Sequence, residues 1–445
     1  MSSLSTGTTT GTAVVLTADT TGDCVIKTGA SATTALTISG NTQSVTLTGT
    51  LVSPTISAPT ISGSTTFPGA TSGSVTLAIP AAAGSTTLTL PSTSGTVLQS
   101  GTAVTEAQGG TGTTTGYYGF KNRIINGGMD IAQRGTSFTS TSSANNDDTY
   151  VLDRFYILSD GNDIVDVTQT TTVPTGAKYS IGLDVETVNK KFGIAQIIEN
   201  ANCYDAIGGN VTVSFQAKVS STTNLDNVKC AIVAWSGTAD TVTSDIISAW
   251  GVEGTNPTLI ANATYENSPA NLNVTTSFAT YSVTANVDTS STSNIILFIW
   301  SDVTTTSLGE FLYITNVQLE KGSTATSFDY RPYGTELQLC QRYYWSSGAI
   351  APLFTTGHCR STTAADYQFP LKVTMRSAPT LSSTNSGAYM QVAGSNYTIT
   401  SIAAQDSSHP DVLTFRGNVA SGLTAGYASV FGGGTATVLN ASAEL

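Results

Sequence analysis

The amino-acid sequence predicts an all-β protein, and three observations indicate that fold class. Charged residues make up only 10% of the chain, against about 25% in typical soluble proteins, and hydroxyl, amide and glycine residues take their place. Ser, Thr, Asn and Gly are poor residues for a helix interior, whereas Thr and Val favour strands and Gly and Asn favour turns. Short segments in which every second residue is apolar recur along the chain, and this period is typical of strands with one buried face.

Residues 1–115 are predicted to form a β-rich, low-complexity shaft. The segment GSVTLAIP at residues 73–80 recurs as GSTTLTLP at residues 84–91, and TALTISG and QSVTLTGTL alternate in the same way. Their apolar residues are sparse, and burial at about 25 cal/mol per Å² must offset roughly 1 to 2 kcal/mol per ordered residue. We therefore expect this region either to be disordered alone or to complete its core with identical chains.

Residues 117–334 are predicted to form an antiparallel β-sandwich body of the jelly-roll type. Strand-like segments such as VLDRFYIL, NVTVSFQAKV and SNIILFIW are separated by clusters of turn residues, at a spacing typical of sandwiches and barrels. Residues 335–445 are predicted to form a small β tip domain. It opens with ELQLCQRYYW, where Leu337, Cys340 and Tyr344 are spaced three and four apart as on a short helix.

Charge, cysteine content and hydropathy exclude several classes of function. The net charge of −12 and the scattered Lys and Arg argue against nucleic-acid binding, which needs clustered basic residues. No apolar stretch is long enough for a transmembrane helix, and the first residues lack the features of a secretory signal. The five cysteines are widely spaced without a CxxC motif, so we expect small buried hydrophobic residues rather than disulfides or a zinc site.

A glycine run between the shaft and the body raises the question of phosphate binding. Gly110, Gly112 and Gly116 give the pattern GxGxxxG, which is one residue longer than the dinucleotide-binding pattern. That pattern must also follow a buried strand and open a helix, and TTTGYYGF does not read as a helix start. The run is therefore interpreted as a joint between two structural units.

The longer segments around this joint resemble bacteriophage tail-fibre and tail-appendage proteins. The resemblance rests on EAQGGTG at residues 106–112, then NRIINGGMDIAQRGTSF, DRFYI and VQLEKGSTATSFDYRPYGTELQLCQRYY, and it spans about residues 73–345. It implies a homotrimer whose N-terminal region attaches to other virion proteins. It also implies a jelly-roll body similar to carbohydrate-binding modules and a tip that contacts a host cell-surface polysaccharide. The expected location is the virion tail, assembled in the host cytoplasm.

The function expected on this basis is that of a structural, non-enzymatic virion protein that mediates adsorption to a host-surface glycan. Three alternatives stay open. A glycan-degrading tailspike needs two carboxylates facing each other, for which Asp184 with Glu186, or Glu310 with Glu320, are candidates. A capsid-attached fibre or decoration protein would share the fold, and a bacterial adhesin or carbohydrate-binding module would be monomeric.

Candidate glycan contacts are the aromatic residues in polar, loop-like surroundings of the tip. They are Tyr389, Tyr397 and Tyr427. The tryptophans of the body are expected to pack in the core instead, because aromatic residues supply much of the burial in a small sandwich. They are Trp235, Trp250 and Trp300.

Other clusters of polar residues have structural interpretations. His358 and Cys359 are adjacent, but neighbouring residues on a strand point to opposite faces, so no catalytic site is expected there. The run Asp160, Asp163 and Asp166, with NNDD nearby, is interpreted as a solvated turn, although such oxygens also suit a structural Ca²⁺. No other cofactor is expected. The pairs Asp153 with Arg154 and Asp329 with Arg331 are interpreted as ion pairs that brace the fold.

Overall fold

The computed structural model describes residues 120–140, 144–348, 354–405, 409–434 and 436–445, together with the backbone of five short strands before residue 120. The chain divides into two compact units, Met1–Val97 and Leu98–Leu445. In the first unit an antiparallel sheet contains β1 (Cys24–Thr28), β2 (Thr33–Ile38) and β3 (Val45–Thr46), and β4 (Thr65–Pro68) pairs with β5 (Ser74–Leu77). These strands lie in or beside the alternating segments, whereas residues 84–91 and the glycine joint lie outside the described residues.

The first part of the second unit is a sandwich of two antiparallel sheets. Its elements are β6 (Ser137–Phe138), β7 (Tyr156–Ser159), β8 (Val165–Thr170), β9 (Ser180–Val185), β10 (Phe192–Ile198), α1 (Asn200–Cys203), β11 (Asn210–Val219), β12 (Val228–Trp235), β13 (Ile247–Ala249), β14 (Thr258–Leu259), β15 (Ala263–Tyr265), β16 (Ala279–Asn286), β17 (Asn294–Ser301) and β18 (Phe311–Lys321). One sheet has the strand order β15-β12-β17-β10-β7 and the other β16-β11-β18-β9-β8-β6.

Side chains alternate between the two faces of each strand, and this alternation determines which residues form the core of the sandwich. Along β11, Val211, Val213 and Phe215 are buried between the sheets, and the residues between them point outward. By contrast β12 and β17 are buried along their whole length, because a second apolar cluster covers the other face of their sheet. That second cluster contains the three tryptophans of the body, which are at most 9% exposed. Their predicted place in the core is confirmed.

The C-terminal part begins with a helix and continues as two further sheets. Its elements are α2 (Tyr333–Gln341), β19 (Tyr344–Ser346), β20 (Thr355–Cys359), β21 (Ala364–Pro370), β22 (Thr380–Ser386), β23 (Tyr389–Val392), β24 (Ser395–Thr398), β25 (Ser401–Ala404), β26 (Val412–Asn418), β27 (Ala428–Gly432) and β28 (Ala436–Ser442). The strand orders are β19-β28-β22 and β24-β23-β27-β20-β21-β26-β25. The predicted helix is confirmed, but it begins at Tyr333 and ends before Tyr344, which opens β19.

The all-β class is thus confirmed, and the sandwich body matches the predicted architecture. The domain boundaries near residues 115 and 334 stay predictions, since residues 98–445 form one compact unit. The last residues of the chain return to the sandwich. Tyr150 Oη donates a hydrogen bond to the carbonyl oxygen of Leu445 at 2.7 Å, and Leu445 packs in the cluster that holds the tryptophans.

The arginines predicted to pair with their sequence neighbours pair with other carboxylates instead. Arg154, 1% exposed, forms an ion pair with Glu444, and Arg331 forms one with Glu336 at 3.0 Å. Asp153 accepts hydrogen bonds from Gln133 at 2.6 Å. The interpretation was wrong because a sequence neighbour is seldom the group that a buried side chain faces.

Within the described residues, no helix is long and apolar enough to span a membrane.

Candidate functional site

The outer face of the six-stranded sheet carries two aromatic rings side by side. Phe311 and Tyr313 are two residues apart on β18 and therefore share the face opposite to the core residue Leu312. Their ring centroids are 5.3 Å apart and their planes differ by only 7°. Both side chains are half-buried. The two parallel rings are stacked and form a compact apolar patch on a polar sheet face.

The neighbouring strand leaves room for this surface. Gly182 on β9 is the register partner of Tyr313, and a Cβ atom on it would lie 3.3 Å from Tyr313 Cε1 and 3.2 Å from Thr168 Oγ1. Both separations are tighter than ordinary van der Waals contact, so a side chain here would force the tyrosine ring to shift by a few tenths of an ångström. A glycine at this position therefore allows the ring to lie against the strand.

Polar side chains lie around the two rings. Lys218 is the register partner of Tyr313, and its ammonium nitrogen is 5.1 Å from the tyrosine ring centre, within the range of a cation–π interaction. Asn316 donates to Gln216 Oε1 at 2.6 Å and to Tyr330 Oη at 3.2 Å. Among the described residues, the Asn316 side-chain oxygen accepts no hydrogen bond. Tyr330 is 56% exposed and adds a third aromatic ring near this face.

Two carboxylates continue the same face across the sheet. Asp184 is the register partner of Phe311, and Asp166 is the register partner of Asp184, which places the two Cβ atoms about 4.5 to 5.5 Å apart. Burial raises the pKa of Asp184, and the negative charges of Glu186 and Asp166 raise it further. Burial likewise raises the pKa of Asp166, and the negative charges of Glu186 and Asp163 raise it further. Each of the two carboxyl groups therefore binds a proton more tightly than a free Asp does.

We call this set the outer-face site, defined by Lys218, Phe311, Tyr313, Asp184 and Asp166. Aromatic faces can pack against the apolar C–H side of a flat, hydroxylated ring, and amides and carboxylates can bind its hydroxyl groups. The prediction from sequence named Asp184 and Asp166 in other roles and did not include Lys218, Phe311 or Tyr313. A signal was present in the order Phe-Leu-Tyr-Ile, which places aromatic side chains on one face of a strand and aliphatic ones on the other.

The structure does not gather the three predicted tip tyrosines on one surface. Tyr397 is the register partner of the buried Met390 and packs against the core of the tip, whereas Tyr389 pairs with Thr398 and points to the opposite face. Tyr427 lies just before β27 and is 51% exposed. Their role in glycan contact stays a prediction.

His358 and Cys359 lie as the strand period predicts. Cys359 is 1% exposed on the core side of β20, and burial raises the pKa of its thiol. His358 is exposed on the other side. The pair is therefore not arranged as a thiolate and its base.

The acidic turn after β7 is organised by an amide group. Asn145 Nδ2 donates to Asp163 Oδ1 at 2.8 Å and to Asp166 Oδ1 at 3.0 Å. In the described part of the chain, no group of three or more His, Cys, Asp or Glu is arranged to hold a metal ion. A structural Ca²⁺ at this turn stays a prediction.

The carboxylate pairs considered from the sequence differ in their geometry. Glu310 lies just before the eleven-residue strand β18 and Glu320 lies near its end, about 30 Å away at 3.3 Å per residue, so the two cannot act on one glycosidic bond. Asp184 is the second-last residue of β9 and Glu186 follows the strand, but the partner directly across from Asp184 is Asp166. The structure thus replaces one predicted pair and excludes the other.

Comparisons with known proteins give matches among solved structures only. No protein-family model and no curated protein matches the chain. The enzymatically active domain of tailspike protein 4 from bacteriophage CBA120 is 17% identical with a TM-score of 0.28, and the match covers 45% of this chain and 22% of that one. A sugar-binding protein from Bacteroides thetaiotaomicron, itself of unproven function, is 13% identical with a TM-score of 0.28, and the match covers 45% of this chain and 100% of that one.

A family 16 carbohydrate-binding module is 14% identical with a TM-score of 0.22, covering 34% of this chain and 84% of that one. Scores this low assign no function, and they do not confirm a phage tail-fibre identity. They do contradict the expectation that the protein is not an enzyme, because the matches include an enzymatically active tailspike domain and an arabinose-bound α-L-arabinofuranosidase. That expectation is withdrawn.

Proposed function

We propose that this protein is a bacteriophage tail-fibre or tail-appendage subunit that binds a host-surface glycan through the outer-face site. The observation that carries the proposal is the pair of parallel rings, Phe311 and Tyr313, on a sheet face otherwise made of hydroxyl, amide and carboxylate groups. Such a face suits a sugar better than an apolar ligand. The segments that resemble phage tail proteins support the virion context.

Binding would begin with a sugar ring placed against Phe311 and Tyr313. The apolar side of the sugar replaces water on the two rings, and the half-buried rings lose little conformational freedom because the sheet already holds them. Lys218, Asn316 and Asp184 would then bind hydroxyl groups at the edges of the rings. The proposed partners are two further copies of the chain, and virion proteins that contact the N-terminal region.

The outer-face site is tested by removing its rings one at a time. Phe311→Ala and Tyr313→Ala should each weaken binding to host polysaccharide at least tenfold, about 1.4 kcal/mol, as measured by surface plasmon resonance on immobilised polysaccharide. Tyr204→Ala is the matched control, because Tyr204 is 68% exposed and lies outside the site. If both site variants bind like the wild type while circular dichroism shows an intact fold, the proposal is wrong.

The assembly and its location have their own tests. Light scattering after size exclusion should give three times the chain mass of 45.7 kDa, and a monomer would contradict the fibre. Immunogold labelling of purified virions should place the protein on the tail after assembly in the host cytoplasm. Label on the capsid would instead identify a head-attached fibre or decoration protein.

A second candidate function is glycan hydrolysis by Asp184 and Asp166. It is favoured by one observation, the raised pKa of two carboxyl groups directly opposite each other beside the aromatic rings. Two carboxyl groups that face each other, one of which can hold a proton, are what a glycosidase needs. The wild type should then release reducing ends from host polysaccharide, and Asp184→Asn should abolish the release while the distant Asp160→Asn should not. No release by the wild type would exclude this function.

A further inference from the structure

A shallow groove lies on the seven-stranded sheet of the C-terminal part and shares no residue with the outer-face site. Its volume is about 390 Å³, and its lining includes Thr356, His358, Arg360, Asp366, Gln368 and Gln405. Residues 335–445 contain as many Lys and Arg as Asp and Glu, whereas the whole chain has a net charge of −12. The groove therefore lies in the one part of the chain that adds nothing to the net negative charge.

A row of three charged or titratable side chains crosses the groove. His358 on β20, Asp366 on β21 and Arg416 on β26 are consecutive register partners. Arg416 donates to both carboxylate oxygens of Asp366, at 2.6 and 3.1 Å. This two-bond contact lowers the pKa of Asp366. Asp366 thus stays ionised, and the charge of Arg416 is already used within the sheet.

The positive charge of Arg360 is only partly neutralised by Asp366. The side chain of Arg360 is 63% exposed, and its Nη1 lies 3.5 Å from Asp366 Oδ2, longer than the 2.7 to 2.9 Å of a strong charge-assisted hydrogen bond. The guanidinium fork therefore has donors that can face a ligand. Because Arg416 on the neighbouring strand already neutralises Asp366, the guanidinium of Arg360 supplies a positive charge to the groove.

The side chains around Arg360 suit a sugar more than a simple anion. Gln368 is exposed at the groove, and Gln405 lines its far side, so amide groups stand beside the guanidinium. A planar guanidinium binds a carboxylate through two parallel hydrogen bonds, and amides bind hydroxyl groups. The groove lining contains a single guanidinium and no series of basic side chains that could follow a phosphate backbone, which disfavours nucleic acid as the occupant.

We propose that this groove binds the carboxylate of a uronic acid unit, with Arg360 pairing the carboxylate and Gln368 contacting the ring hydroxyl groups. The inference rests on the proposed glycan-binding function and names a second subsite for it. The host glycan would then carry acidic sugars, recognised at the tip independently of the aromatic rings on the sandwich.

Free glucuronate and glucose are the probes, compared by saturation-transfer difference NMR on the full-length protein. Glucuronate should give the stronger signal, and Arg360→Gln should reduce that signal at least fivefold. Lys372→Gln is the matched control, since it removes one exposed positive charge from the same part of the chain without touching the groove. Equal signals for the two sugars, or an unchanged signal in Arg360→Gln, would overturn the inference.

The two proposals fail separately. Tyr313→Ala should leave the glucuronate signal intact, because Tyr313 lies on the sandwich and not in the groove. If Arg360→Gln changes nothing while Tyr313→Ala weakens polysaccharide binding, only the tip inference is wrong. If glucuronate binds through Arg360 while the aromatic variants bind like the wild type, the outer-face site is wrong and the tip groove stands.

Discussion

The sharpest test of the folding argument concerns a buried cluster of three charges at one end of the sandwich. Asp302 is fully buried and accepts hydrogen bonds from Lys191 Nζ at 2.5 Å and from the Gly254 backbone N–H at 2.9 Å. Its second carboxylate oxygen also lies 2.7 Å from Lys229 Nζ. Lys191 is 1% exposed and additionally donates to the carbonyl oxygens of Val252 and Thr255. The cluster therefore ties the loop after β13 to the sandwich.

Asp302→Asn keeps the shape of the side chain and removes its charge. Whichever way the new amide is turned, its NH₂ group faces a donor, either Lys191 or Lys229 with the Gly254 N–H. A buried ammonium is then left without its counter-charge, and breaking a buried pair in this way costs about 3 to 5 kcal/mol. The folded-to-unfolded ratio should thus fall by roughly 10² to 10⁴.

Asp160→Asn is the matched control, because it removes the same charge from the neighbouring but exposed pair with Lys190. The side chains of that pair are 43% and 39% exposed, and exposed pairs contribute about 0 to 1 kcal/mol. Urea unfolding followed by tryptophan fluorescence compares the two variants directly. One molar salt should erase the small effect of Asp160→Asn and leave that of Asp302→Asn in place, because salt screens surface charges far more than buried ones.

Two results would refute the reasoning. The first is a cost for Asp302→Asn as small as that for Asp160→Asn, which would mean that water reaches the cluster. The second is a loss of the Asp302→Asn effect in high salt. Either result would also remove the physical reason for a well-ordered loop between Trp250 and Thr255.

Three further predictions concern other buried groups. Burial raises the pKa of Asp148 to about 7, and the negative charges of Asp147 and Asp245 contribute to the increase. The folded state therefore binds this proton more tightly than the unfolded state does. As a result the protein loses stability as the pH rises from 4 to 7. Asp148→Asn should therefore raise the melting temperature at pH 8 and change it little at pH 4; equal changes would contradict this. The four cysteines that the structure describes are all buried, so a thiol reagent at pH 8 should label none of them in the folded protein and all of them in urea, as read by peptide mass spectrometry. Glu444→Gln leaves the buried guanidinium of Arg154 without its carboxylate and should cost about 3 kcal/mol in urea unfolding, whereas a cost below 1 kcal/mol would show that Arg154 is stabilised by its other contacts.

Local patterns predicted the fold class and many strands because they depend on neighbours in the sequence. NVTVSFQAKV coincides with β11 (Asn210–Val219), and its apolar residues alternate with polar ones as the sandwich requires. The opposite orientations of His358 and Cys359 follow from the same period. The limits of the helix were less predictable, since the chain leaves α2 before Tyr344 and enters a strand.

The candidate site could not be predicted in the same way, because sheet register brings its residues together. Asp166, Asp184 and Phe311 become neighbours only when β8, β9 and β18 pair as they do. Strand pairing over more than a hundred residues is a property of the whole fold, and no spacing in the sequence encodes it. The ion pair of Arg154 spans a still longer sequence separation, because Glu444 lies 290 residues away.

The low charge content that indicated a β protein also bears on what its surface can bind. Several of the few charged residues are used inside the protein, as in the Asp302 cluster and the Arg154–Glu444 pair. Apart from a few charged groups, the outer sheet faces carry short hydroxyl and amide side chains and aromatic rings packed against a strand. These groups lose less conformational entropy on binding than long Lys or Glu side chains do. They also match the alternation of C–H and O–H groups on a sugar. A surface of this kind can bind a hydroxylated ligand weakly at each subunit, and a trimer would multiply that weak contact through effective concentration. Under the proposed adsorption function the oligomeric state is a functional requirement, because a monomer with one shallow aromatic site would not hold a virion on a cell.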